Sequence, residues 1–149
     1  MRVSEVMRHD PVCCIRTTSV MNAVRMLREF DIGFLPVIDD PWTRKLIGVV
    51  TDRDLCLAAL GEQHDPTLTT VEDCMATDPV TCTPDKDIRE ILAAMGEHQI
   101  RRLPVADQDN HVPLARYVSL LDAAAEGEPR HRRKRRPKSL PERTLRPVG

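Results

Sequence analysis

Aromatic side chains are nearly missing from this 149-residue chain, at 3% of positions: one Trp, one Tyr and two Phe. Any core it builds is therefore aliphatic, drawn from the Val, Leu, Ile and Met within a hydrophobic content of 41%. Long apolar runs are missing too. None approaches the roughly 18 residues of a membrane span. The opening stretch, MRVSEVMRHDPV, has no apolar signal-peptide core. These absences lead to the expectation of a cytoplasmic protein without a membrane partner. The five cysteines (Cys13, Cys14, Cys56, Cys74, Cys82) are odd in number and show no CxxC spacing. That argues against a disulfide framework and against a zinc site. They read as small, buried, reduced hydrophobes. A second reading has the adjacent Cys13 and Cys14 facing opposite sides of a strand, with one of them open to oxidation.

Catalytic signatures are equally sparse. The six glycines are scattered, so there is no glycine-rich phosphate loop. His9, His64, His98, His111 and His131 fall in turns, at a helix end or in the tail, without Cys, Ser and Asp at a recognisable spacing. The expectation is a binding protein rather than an enzyme.

Charge is present but unevenly placed. The net charge of −1 divides into −9 over residues 1–128 and +8 over residues 129–149. The basic run PRHRRKRRPKS (129–139) lacks aromatics and is followed by spaced prolines. It reads as a disordered, solvated tail. It would bind a nucleic acid in a salt-sensitive way, bind an acidic partner, or fold back on the acidic body.

The dominant feature is an internal repeat. Shifted by 68 residues, the sequence lands on itself: VMRHDPV (6–12) on CMATDPV (74–80), and IGFLPVID (32–39) on IRRLPVAD (100–107). Residues 3–55 align with 71–123 without a gap, and 15 of 53 pairs are identical. One offset held over that length means a duplicated structural unit. The divisions are residues 1–60, a polar linker at 61–70, residues 71–126 and the tail at 127–149.

Each copy reads β-α-β-β-α, an α/β (α+β) class. Asp10-Pro11 and Asp78-Pro79 make turns into a short strand. Ser19 caps a helix whose stripe is Val20, Ala23, Val24, Leu27 and Phe30; Asp87 caps its counterpart, with Ile88, Ile91, Leu92 and Met95. Strands follow at Leu35–Ile38 and Leu103–Val105. Their prolines restrict them to a strand start or a sheet edge. Strands at 46–50 and 114–118 lead into helices after Thr51 and Ser119.

Those last two junctions carry the chemistry. A helix N-terminus offers unpaired N–H groups and a positive dipole end, which suit a phosphate. Thr51 adds a hydroxyl, and the Asp54 carboxylate suits a ribose diol; Ser119 and Asp122 stand at the equivalent places. The same Ser/Thr-x-x-Asp pattern also reads as a capping box that merely satisfies its own helix. Arg53 reads as an anion contact or as a solvated residue. Arg101 and Arg102 precede the second LPV strand, and arginine suits bidentate phosphate binding. Their alternative is pairing with the many acids of the body. Consecutive strand residues point to opposite faces, so at most one should face a given cleft. The first copy has Gly33-Phe34 at that position, with nothing basic. Gly48 would let a ligand approach the strand, whereas its counterpart Arg116 would block a pocket or add a phosphate contact.

The DPV near each start, the LPV strands, GVVTDRDL (48–55) and VSLLDA (118–123) together resemble a tandem pair of cystathionine β-synthase (CBS) domains, a Bateman module, over roughly residues 1–126. HQIRRLPV (98–105) is similar to the short stand-alone bacterial CBS pairs of the hypoxic-response or stress type. The resemblance implies two copies packed with pseudo-two-fold symmetry, clefts between them, and a homodimer formed through the helices. It implies an adenosine-containing ligand, either AMP or ATP or S-adenosylmethionine, and no required cofactor. Phosphate would sit near Ser119 and Arg101/Arg102, ribose near Asp122, with Thr51 and Asp54 forming the pseudo-equivalent site. One occupied site per chain is expected. The rival readings are a structural or interaction protein with closed clefts, and nucleic-acid binding through the tail.

Overall fold

The computed structural model describes residues 1–8, 12–61 and 65–109, and the backbone alone of 116–119. A short helix α1 (Val3–Val6) precedes β1 (Cys14–Ile15), α2 (Val20–Phe30), β2 (Phe34–Ile38), β3 (Leu46–Thr51) and α3 (Asp52–Leu60). A 3-10 turn (Val71–Asp73) then leads to β4 (Ala76–Thr77), α4 (Ile88–Glu97), β5 (Arg102–Val105) and β6 (Arg116–Ser119). The helix expected after Ser119 lies outside the described residues.

The two copies repeat each other in detail. Ser19 and Asp87 cap α2 and α4, accepting from the Asn22 and Arg89 N–H groups. Asp31 and Gln99, 68 residues apart, both turn left-handed (φ 51° and 54°) to end those helices. The Cys14 and Cys82 thiols each donate to the carbonyl of the LPV proline, Pro36 or Pro104, at 3.9 Å. On α2, Val20, Ala23 and Leu27 are buried as the stripe predicts, but Val24 and Phe30 are 41% and 45% exposed. The apolar stripe is therefore wider than the face that packs against the sheet.

β1, β2, β3 and β4 form one sheet in that order, and β5 pairs antiparallel with β6. Pro36 thus sits in an interior strand rather than at an edge. It is tolerated because the two-residue β1 meets β2 only at Val37 and Ile38, which leaves β2 uncovered beside the proline.

Packing does not follow the sequence repeat. Val3, Val6 and Met7 belong to the core of the second copy, with Cys82, Ile88, Ile91, Met95, Leu103 and Val105. Val71 belongs to the core of the first, with Cys74 and Met75 packed against it. The backbone bonds are reciprocal. Val3 and Ser4 donate to the Lys86 and Pro84 carbonyls, while Val71 and Glu72 donate to those of Thr18 and Arg16. Ile88 donates to Met1 as Val20 does to Thr69. Each copy therefore begins inside the other, and β4 completes the exchange by pairing with β3.

Burial also sorts the cysteines. It pushes the Cys14 thiol up to about 12 and that of Cys82 to about 11, keeping both protonated at neutral pH. Cys13 and Cys74 are half-buried, and Cys56 is exposed on α3, contrary to the expectation of a buried set. Alkylation of the native protein by iodoacetamide should label Cys56 first and leave Cys14 and Cys82 unmodified until denaturant is added. Peptide mass spectrometry reads the order, and early labelling of Cys14 would contradict this packing.

Candidate functional site

The exchange opens a cleft of about 870 Å³ between the copies. That is ample for a nucleotide-sized ligand. Its first wall is the β3–α3 junction, with Thr51, Asp52 and Arg53. Its second is the segment from His98 to Arg102 of the other copy. The crossover segment that includes β4 and continues to Val80 closes it on a third side. Phe34, Val49, Val80 and Ile100 supply apolar surface.

Thr51, Arg53, Arg101 and Arg102 are thus brought to one cleft. Both arginines of the consecutive pair line it, because Arg101 precedes β5 and Arg102 only begins it, so strict strand alternation does not separate them. The basic residues expected beside Ser119 line the same cleft as Thr51, a side that the repeat alone leaves without them. Their position follows from packing between copies, which alignment of the copies does not encode.

Asp54 is not among the residues lining the cleft. Its Oδ2 accepts from the Thr51 N–H (2.9 Å) and the Thr51 hydroxyl (3.0 Å), while the Asp54 N–H lies 3.3 Å from Thr51 Oγ1. This is a complete capping box, the second of the two readings of the motif. It fixes the Thr51 side chain at the cleft edge. The Ser119 backbone pairs with Arg102; its side chain, Asp122 and the basic run 129–139 lie outside the described residues.

Gly48 has a different role from the expected one. A Cβ there would meet Met75 Sδ at 2.7 Å and the Ala76 carbonyl at 2.8 Å. The bare backbone makes room for the chain's own crossover strand, not for a ligand. Sequence reasoning missed Asp52, Asp78 and His98 at the cleft. Asp52 was legible as the residue after Thr51, but Asp78 and His98 reach the cleft only through the exchange. Among the described residues, no group of three or more His, Cys, Asp or Glu side chains could hold a metal ion, and no helix is long and apolar enough to cross a membrane.

The CBS domain family model matches twice, at residues 3–61 and 71–124. The chain belongs to the CBS domain family. Hypoxic response protein 1 of Mycobacterium tuberculosis is 31% identical over 104 residues, covering 70% of this chain and 71% of that one. The crystal structure of CBSX2 in complex with AMP is similar at a TM-score of 0.69 and 29% identity, over 85% of this chain and 95% of that one. The CBS domain pair of protein MJ0100, in complex with 5′-methylthioadenosine and S-adenosyl-L-methionine, shares the fold at a TM-score of 0.75 and 23% identity, over 86% of this chain and 100% of that one. This chain is thus a CBS pair, and its cleft lies between the two CBS copies.

Proposed function

We propose that this CBS pair is a non-catalytic regulatory sensor that binds an adenosine-containing ligand in the Thr51 cleft. The carrying observation is the convergence of Arg53, Arg101 and Arg102 beside Thr51 in a cleft that also has apolar walls. Guanidinium groups and the N-terminal end of α3 suit a phosphate, and the apolar surface suits a purine. AMP in the CBSX2 complex supports the ligand class. Ligand contacts to both copies would change how they pack, and a partner would read the change, provided the ligand binds one packing better than the other. The divisions 1–60, 61–70 and 71–126 stand as functional units in this reading, bridged by the exchanged segments. A homodimer through the helices is part of it, supported by Val24, Phe30, Leu57 and Leu60 standing exposed on α2 and α3.

The test is the melting temperature of the full chain against AMP, ADP, ATP, GTP, NAD and S-adenosylmethionine. A ligand at a hundred times its dissociation constant stabilises by about 2.7 kcal/mol, a rise of roughly 5–10 °C for a protein of this size. Adenine compounds should produce it, and Arg101→Ala should reduce it. No shift with any adenine compound at millimolar concentration would sink the proposal.

A further inference from the structure

Among the described residues that line the cleft, His98 is the one imidazole, the side-chain type whose charge changes between about pH 5 and 8. It is the C-cap of α4, and its N–H donates to the Ala94 carbonyl at 3.0 Å. The carbonyl end of a helix carries partial negative charge, which favours a cation. Gln99 then takes the left-handed backbone (φ 54°) that ends the helix. That reversal leads directly into Ile100 and Arg101, so His98 stands on the same wall as the two arginines. The 68-residue repeat places Phe30 at the equivalent turn of the first copy, before the left-handed Asp31. The turn therefore forms without an imidazole. His98 is also exposed, so packing does not account for it.

We infer that His98 makes this cleft pH-responsive, so that an anionic ligand is held more tightly when the imidazole is protonated. The inference rests on the adenosine-site reading above and adds the regulation of that site. The charged groups facing the cleft are Asp52 and Arg53 from the β3–α3 junction, Asp78 from the crossover segment, and Arg101 and Arg102 further along the wall of His98. Glu97 precedes His98 on α4. Three guanidinium groups repel an imidazolium, and three carboxylates attract it. A ligand phosphate adds negative charge to that set. Binding then takes up a proton at His98, and by reciprocity a lower pH strengthens binding. The gain is fully present below the range in which an imidazole titrates and is lost as pH rises through it. Phe30 carries no titrating group at the equivalent turn, so the response belongs to the Thr51 cleft.

Calorimetric titration of the full chain with AMP tests this, in the wild type and in His98→Gln, at about pH 6 and about pH 8, either side of the imidazole range. The ratio of the two affinities at each pH cancels the titration of the AMP phosphate and of the other histidines. That ratio should be near one at the higher pH and favour the wild type by about three-fold at the lower, the order expected of two charges across a wet cleft. Near neutral pH, titrations in two buffers of different ionisation heat should show the wild type taking up more protons on binding than the variant. His98→Lys, charged at both pH values, should keep the low-pH affinity at the higher pH, which a merely structural role would not produce. Adenosine, which has no phosphate, should give a ratio near one throughout. If the wild type and His98→Gln share one pH dependence for AMP, or adenosine shows the same ratio as AMP, the pH coupling is overturned while the adenosine site stands. If AMP and adenosine bind neither protein at either pH, both are overturned.

Discussion

Replacing Val3 with aspartate is expected to unfold the second copy before the first. Val3 is fully buried among Ile88, Ile91, Met95 and Leu103. The change removes roughly 1.5–3 kcal/mol of apolar burial and adds the penalty of an unpaired carboxylate in an apolar site. A total loss of at least about 3 kcal/mol is a large share of the stability of any small domain. Hydrogen exchange should show α4 and β5 losing protection while α2 and β2 hold longer. Val71→Asp should do the reverse, because Val71 is fully buried in the cluster containing Val20, Leu35 and Val50. If each variant instead loosens first the copy to which its own sequence belongs, the exchange is wrong.

A single methyl group at Gly48 should cost about 1–3 kcal/mol, the usual range for overpacking. The methyl of Gly48→Ala would press on the Ala76 carbonyl as well as on Met75. The thioether can swing aside, but the carbonyl can move only if β4 moves. Ala76 and Thr77 also line the cleft, so affinity for the proposed adenosine-containing ligand should fall together with the melting temperature. Met75→Ala in the Gly48→Ala background should recover little, since the backbone clash remains. Full recovery of both properties would show that the side chain alone caused the strain.

The sequence contained the units of this fold more clearly than their assembly. Ser19 and Asp87 were legible as caps because each is a short polar residue immediately before an apolar helical stripe. The strands around the two LPV segments were legible too, each begun one residue earlier by Phe34 or Arg102. Val24 and Phe30 misled because periodicity marks an apolar face without saying whether anything covers it. Residues 3–7 and 71–75 are too short to show periodicity, so nothing in them announces that they pack in the opposite copy. The cleft inherits that blind spot. Thr51 and Arg53 could be found from a local motif, and Arg101 and Arg102 from their chemistry. Their meeting depends on contacts between segments about fifty residues apart.

The reciprocal exchange also sets an order for synthesis. Val3 to Met7 leave the ribosome well before their partners Leu103 and Val105. At about 5–20 residues per second, that apolar segment waits on the order of 5–20 s before its site exists. The first copy must wait in turn for Val71. The first half can therefore close once Val71 and β4 have emerged, and the second only after Leu103 and Val105.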